Sequence, residues 1–149
     1  MYKQKLNEEL QKIIVNKASY KIDEIFPHEK ILKDRANGLM SYIESLRPWI
    51  IIPSILICSE TNVIIDGHHR YYVLKKMNID MVPVTLINYS SKKIITHPKE
   101  NLAISKSKLL SAAKSKSLLE PKTSLHHISD SNEIYPIILI SDLRLVKDE

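Results

Sequence analysis

Asp66-Gly67-His68-His69-Arg70 gathers residue types that handle phosphate into one short stretch. It sits where a β-branched run, Val63-Ile64-Ile65, gives way to helical spacing from His68 to Met77, in which Tyr71 or Tyr72, Leu74 and Met77 are available for a core. The first turn of a helix presents unpaired N–H groups and the positive end of the macrodipole, which together attract an anion. Gly67 removes the side chain that would keep a phosphate from the backbone. Arg70 is suited to gripping two phosphate oxygens, with His68 and His69 as further donors. Asp66, at a strand end, suits either a magnesium ion bridging those oxygens or the positioning of a hydroxyl. Asp-Gly is also an ordinary turn pair, so the spacing by itself fits both an anion site and a decorated surface turn. A zinc site built from His68, His69, His126 and His127 is not expected: adjacent helical residues point about 100° apart, and the i, i+4 pairing of helical zinc sites is missing.

The elements that must position this turn are legible from periodicity. Leu6, Leu10, Ile13 and Ile14 mark one face of an amphipathic helix over residues 3–16. Residues 19–26 read as an extended arm ending at Pro27, because the residue before a proline avoids the helical region. A second helix is expected from an N-cap at Asp34 to Leu46, with Ala36, Leu39, Met40, Ile43 and Leu46 inward and Pro48 ending it. Residues 50–58 read as a strand that becomes regular after Pro53, turning through 59–62 into the strand before Asp66. Residues 81–88 predict another strand, whose Pro83 suggests an edge or an early position. Beyond it, 92–96 are expected to be extended, 105–115 a short helix with Leu109, Leu110 and Ala113 inward, and 134–140 the last strand. The class is α+β, with residues 1–18 as an N-terminal helix and 19–149 as one domain.

The 149 residues, 44% hydrophobic and 26% charged, are enough for a folded domain with a real core. No apolar run approaches the roughly 20 residues that span a bilayer, and the charged start does not resemble a signal peptide, so a cytoplasmic protein without a membrane partner is expected. Cys58 is the only cysteine, which excludes an intrachain disulfide and a cysteine-based zinc site. The net charge of +5 is carried by the stretch from Lys92 to Lys122, and lysines far outnumber arginines. Reading base edges favours arginine, so sequence-specific nucleic-acid binding is not expected; the stretch fits either a solvated face or an anion-attracting rim. The first helix would cover either its own core or a second copy, leaving monomer and homodimer open.

The string from Val63 through Asp66-Gly67-His68-His69-Arg70 to Met77, followed by Val82-Pro83-Val84-Thr85-Leu86, resembles the ParB/sulfiredoxin superfamily and, within it, the free L-serine kinases. Pro27-His28-Glu29, the Pro53 strand and Glu120-Pro121-Lys122-Thr123-Ser124-Leu125-His126 point the same way, so the resemblance runs from about Tyr20 to Ile128. It implies a small mixed sheet with helices packed around it. It also implies transfer of a phosphoryl group from ADP or ATP, with magnesium, to the hydroxyl of free L-serine, giving O-phospho-L-serine. On that resemblance Glu29 corresponds to the general base and Asp66 to the second essential carboxylate, which would hold the metal or position the hydroxyl. Gly67, His68, His69 and Arg70 match the phosphate-binding turn, and Lys122, Thr123 and His126 match a substrate-side stretch in which this chain has Ser124 where the family has a second threonine.

Phosphoryl transfer relies mainly on alignment and charge neutralisation, with a carboxylate taking the proton, so one carboxylate for metal and one for hydroxyl suits the implied chemistry. Nothing in the spacing brings Glu29 to Asp66; their meeting is an expectation about the fold. The alternative reading is a ParB-like nucleotide-binding protein for DNA partitioning or regulation, which normally carries a helix-turn-helix region for which the residues after Asn88 leave little room. A sulfiredoxin-type reductase would place a reactive cysteine where this chain has His68, whereas Cys58 lies in an apolar run that suits a buried, inert thiol.

Overall fold

The computed structural model describes residues 8, 11–97, 104–121 and 124–146. The elements are strand β1 (Ile14–Lys21), helix α1 (Lys33–Leu46), strands β2 (Ile50–Pro53), β3 (Ile55–Cys58) and β4 (Ile64–Asp66), helix α2 (His68–Lys76), strands β5 (Met81–Ile87) and β6 (Ile94–Ile95), helix α3 (Lys106–Ser115), and strands β7 (His127–Asp130), β8 (Glu133–Pro136) and β9 (Leu143–Val146). The class is α+β, as expected. A mixed sheet of order β1-β5-β3-β4 lies at the centre, with β3 parallel to β5 and the other pairs antiparallel. A β2-β9 ribbon and a β6-β7-β8 sheet accompany it.

The core is in two parts, one on each face of the central sheet. Ile55, Ile57, Ile64, Val82 and Val84 pack with Ala36 and Ile43 of α1, Val73 and Leu74 of α2, and Ile50, Ile52 and Val146 of the ribbon. The alternate positions Leu56, Cys58, Val63, Ile65 and Ile87 pack with Leu109 and Ala113 of α3, Ile94, Ile128 and Tyr135. Because β3 is covered on both faces, all four of its residues are buried and its sequence shows no polar alternation. Cys58 is buried in the second cluster, 4% exposed.

Several boundaries differ from the sequence expectation. The first helix stops by Ile13, and its earlier residues, other than Glu8, lie outside the described set. Ile14 begins β1, which pairs with β5 along its length and crosses the expected domain boundary at 18/19. The arm over 19–26 is the end of β1 followed by a 3-10 turn at Ile22–Glu24, with Phe26 bridging to Val63. Helix α1 begins at Lys33, so Asp34 lies in its first turn and is not the cap; Leu46 is 38% exposed. The 50–58 stretch divides at Ser54 into strands of two different sheets.

Strand β5 is interior, not an edge. Its Pro83 lies opposite Ser19 of β1, while pairing with β3 begins only at Val84, so the missing donor falls before the β3 ladder starts. The expected last strand, 134–140, is instead β8 followed by a 3-10 turn at Ile137–Ile140, and β9 follows it. Ser131 and Asn132, both at positive φ, make the tight β7-β8 turn. Asn78, also at positive φ, ends α2 as its residue type suggested.

Candidate functional site

The site forms around the exit of β4. Three residues of β4 pair antiparallel with β3 and deliver Asp66 at the edge of the central sheet. The chain then reverses at Gly67, whose φ of +113° is costly for any residue with a Cβ, and enters α2 without a side-chain cap. Arg70 returns one helical turn to donate from Nη2 to Asp66 Oδ2 at 3.0 Å. A Cβ on Gly67 would lie 2.8 Å from Arg70 Nη2 and 2.9 Å from Nε. The absent side chain therefore makes room for the Arg70 guanidinium, where the sequence suggested room for a phosphate. Burial lowers the Arg70 pKa from its ordinary value, and the Asp66 charge and hydrogen bond oppose that fall.

Glu29 reaches the same place from a distant part of the chain. Lys30 N–H donates to the Leu119 carbonyl and Leu119 N–H to the His28 carbonyl, both at 2.8 Å, so the 28–30 segment is stitched to the stretch leading to Ser124. His28 is fully buried and locks the junction from three directions. Its backbone N–H donates to His68 Nε2 at 3.1 Å, its Nδ1 donates to the Ile64 carbonyl at 2.6 Å, and its Nε2 lies 2.8 Å from Ser124 Oγ. Because His68 Nε2 accepts, the neutral His68 ring carries its proton on Nδ1, which lies 3.9 Å from Glu29 Oε2. Burial, reinforced by the charges of His28 and His126, holds His68 well below its ordinary pKa.

One cleft of about 410 Å³ takes in Glu29, the Asp66 to Arg70 turn and Ser124. Arg35 and Leu39 of α1 form a further wall, with Leu125 and Ile138 beside Ser124. The side chains of Glu29 and Asp66 are 14% and 36% exposed, which leaves both carboxylates accessible at the cleft.

The remaining expected site residues fare differently. His69 lines the cleft but uses Nε2 to accept the Leu32 N–H at 2.9 Å, tying α2 to the start of α1. His68 lines it too, with its Nε2 committed to His28. Neither imidazole is therefore simply the exposed phosphate donor that the turn suggested. His126, expected at substrate, is 5% exposed and absent from the cleft wall; its Nε2 is paired with the Tyr89 hydroxyl at 2.8 Å, and burial drives its pKa to about 3. Lys122 and Thr123 lie outside the described residues. The sequence reading missed Arg35 as a wall of the cleft and gave no role to His28 or Ser124; the only signal was their presence in the Pro27-His28-Glu29 and Lys122 to His126 strings.

Among the described residues no three or more His, Cys, Asp or Glu side chains cluster to hold a metal ion. Asp66 presents a carboxylate, 36% exposed at the cleft, of the kind that magnesium takes one or two of alongside substrate phosphates and water. No helix among the described residues is long and apolar enough to cross a membrane.

The chain is similar to an ATP-dependent L-serine kinase. That protein, from Staphylothermus marinus, is 31% identical over 77 residues, which is 49% of this chain and 30% of the relative. A ParB-like protein of Sulfolobus acidocaldarius is 32% identical over 68 residues, 46% of this chain and 33% of the relative. The chain thus spans about a third of the length of the curated relatives it matches. No family model matches it. Among solved structures, a free serine kinase in complex with AMP aligns with a TM-score of 0.48 at 21% identity, over 54% of this chain and 34% of that one. SbnI with a C-terminal truncation, from Staphylococcus aureus, aligns with a TM-score of 0.46 at 27% identity, over 58% and 40%.

Proposed function

We propose that this protein is a kinase that transfers a phosphoryl group from ADP or ATP to the hydroxyl of free L-serine, giving O-phospho-L-serine. The observation that carries the reading is that Glu29 and Asp66, remote in sequence, line one cleft into which α2 opens. The resemblance of the Asp66 to Arg70 string and the similarity to an ATP-dependent L-serine kinase support it.

In this reading Glu29 accepts the proton of the serine hydroxyl as its oxygen attacks the terminal phosphorus and the bond to the leaving phosphate breaks. Its carboxylate, 14% exposed, faces the cleft and so lies within reach of a hydroxyl bound there. Asp66 holds the magnesium ion or orients the hydroxyl, and Arg70, held by Asp66, keeps positive charge beside the phosphates. Gly67, His68 and His69 shape the turn that receives the phosphates, His68 by supporting Glu29 and His69 by fixing α1. Lys122 and Thr123 are assigned to the substrate side on the resemblance; His126, which the resemblance also assigns there, is paired with Tyr89 and off the cleft wall. Bound magnesium would neutralise phosphate charge during transfer.

The test is to incubate the purified protein with L-serine, magnesium and either nucleotide and to assay for O-phospho-L-serine. Product with ADP or ATP is the expected result. Absence of product with both would remove the assignment.

A further inference from the structure

The Ser124 hydroxyl has one hydrogen and two neighbours that compete for it, His28 Nε2 at 2.8 Å and Glu29 Oε1 at 3.2 Å. What His28 can do with that hydrogen follows from its far side. The Ile64 carbonyl accepts only, so His28 Nδ1 must be the protonated nitrogen, and in a neutral ring Nε2 is left as an acceptor. Full burial keeps that ring neutral, with a pKa lowered to about 4 by desolvation, a fall that the Ile64 hydrogen bond only partly opposes. Against an ionised Glu29 the Ser124 hydrogen is drawn to Oε1; once that carboxyl is protonated it turns to His28 Nε2, and Ser124 presents an oxygen lone pair to Glu29. A lone pair against a carboxylate is repulsive, whereas against a carboxylic acid it receives a hydrogen bond.

We propose that Ser124 and His28 are positioning residues for Glu29, forming a one-directional hydrogen-bond chain that supports the carboxyl group in its protonated form. This rests on the reading of Glu29 as the group that takes the serine proton. At rest the Ser124 hydrogen is shared or turned towards the carboxylate, at the expense of His28 Nε2. When Glu29 gains its proton on Oε1, that proton is donated to Ser124 Oγ and the Ser124 hydrogen to His28 Nε2, so each gap holds one hydrogen. No proton need pass from Glu29 to His28, whose burial disfavours the charged ring. No atom is exchanged with solvent, and the chain ends at the Ile64 carbonyl, in the strand that also carries Asp66.

Other charges act on Glu29 as well. His68 presents Nδ1 at 3.9 Å, and Asp66, His69, Arg70 and Arg35 line the same cleft. On its own segment Lys30 is paired with Glu120 at 3.0 Å. All of these are retained when Ser124 is changed, so a Ser124 variant isolates the chain. Similarly, Ser124→Thr keeps the hydroxyl.

The test follows the carboxyl ¹³C resonance that vanishes in Glu29→Gln, titrated in the wild type, Ser124→Ala and Ser124→Thr, alongside serine phosphorylation by each. In Ser124→Ala the Glu29 midpoint should fall by about half a pH unit or more, since the acid form loses both bonds of the chain and the carboxylate only one. The rate kcat should fall roughly threefold to tenfold with KM for serine little changed, and Ser124→Thr should restore both. A midpoint that stays or rises in Ser124→Ala overturns the inference whatever the activity. The expected shift in a protein that makes no phosphoserine upholds the chain and overturns the kinase assignment.

Discussion

Arg70 Nη2 donates to Asp66 Oδ2 at 3.0 Å and, in doing so, lays its guanidinium against Gly67. The glycine, the arginine and the aspartate thus form one unit: the backbone turn exists in a form that lets the ion pair close, and the ion pair fills what the glycine leaves open. Gly67→Ala should break it twice, through a strained φ and through a Cβ placed 2.8 Å from Arg70 Nη2. The expected cost is about 1–3 kcal/mol, read by urea denaturation. A stability equal to wild type would mean that the turn relaxes without the pair.

Glu29→Gln and Asp66→Asn should each lower phosphoserine formation by roughly a hundredfold or more, since each removes a carboxylate to which the proposed reaction gives a separate duty. Both proteins should remain folded by circular dichroism. Asp66→Asn should in addition lose some stability, because Arg70 is only 8% exposed and keeps its charge without its partner. Full activity in either variant would reassign that residue.

Acid should destabilise this protein before the carboxylates titrate. His28 and His126 are buried, and desolvation lowers their pKa values from 6.5 to about 4 and about 3. Between 6.5 and those values the unfolded chain binds protons that the folded chain does not, so stability is whole above pH 6.5 and falls as the pH drops. From pH 7 to pH 5 the two together should cost on the order of 2–4 kcal/mol in the unfolding free energy, measured by urea titration at each pH. A flat profile over that range would show that the rings are protonated in the fold.

How much of this was readable beforehand depended on whether the signal was local. The strand, Asp-Gly turn and helix around Asp66 were legible because β-branching, a glycine and helical spacing each act over a few residues. Helix α3, capped by Ser105 accepting from the Lys108 N–H at 3.2 Å, was legible for the same reason. Ile14 was misread because one apolar residue suits a helix face and a strand equally; pairing with Ile87 across the sheet decided it. Pro83 left an edge and an early position open because its tolerance depends on where the β3 ladder begins, which no neighbour in sequence reveals; the structure has the early position.

The sequence by itself determined the chemistry available: which groups carry protons, which carry fixed charge, and where a turn delivers an aspartate to the start of a helix. Only the tertiary structure decided how those groups are used. Leu119 sets Glu29 in place, His28 and His68 divide their ring nitrogens between neighbours, and His126 is taken out of reach. The reason is physical. Donor and acceptor capacity belongs to a residue type, but the partner that claims it is chosen by burial and by chain segments that meet only on folding.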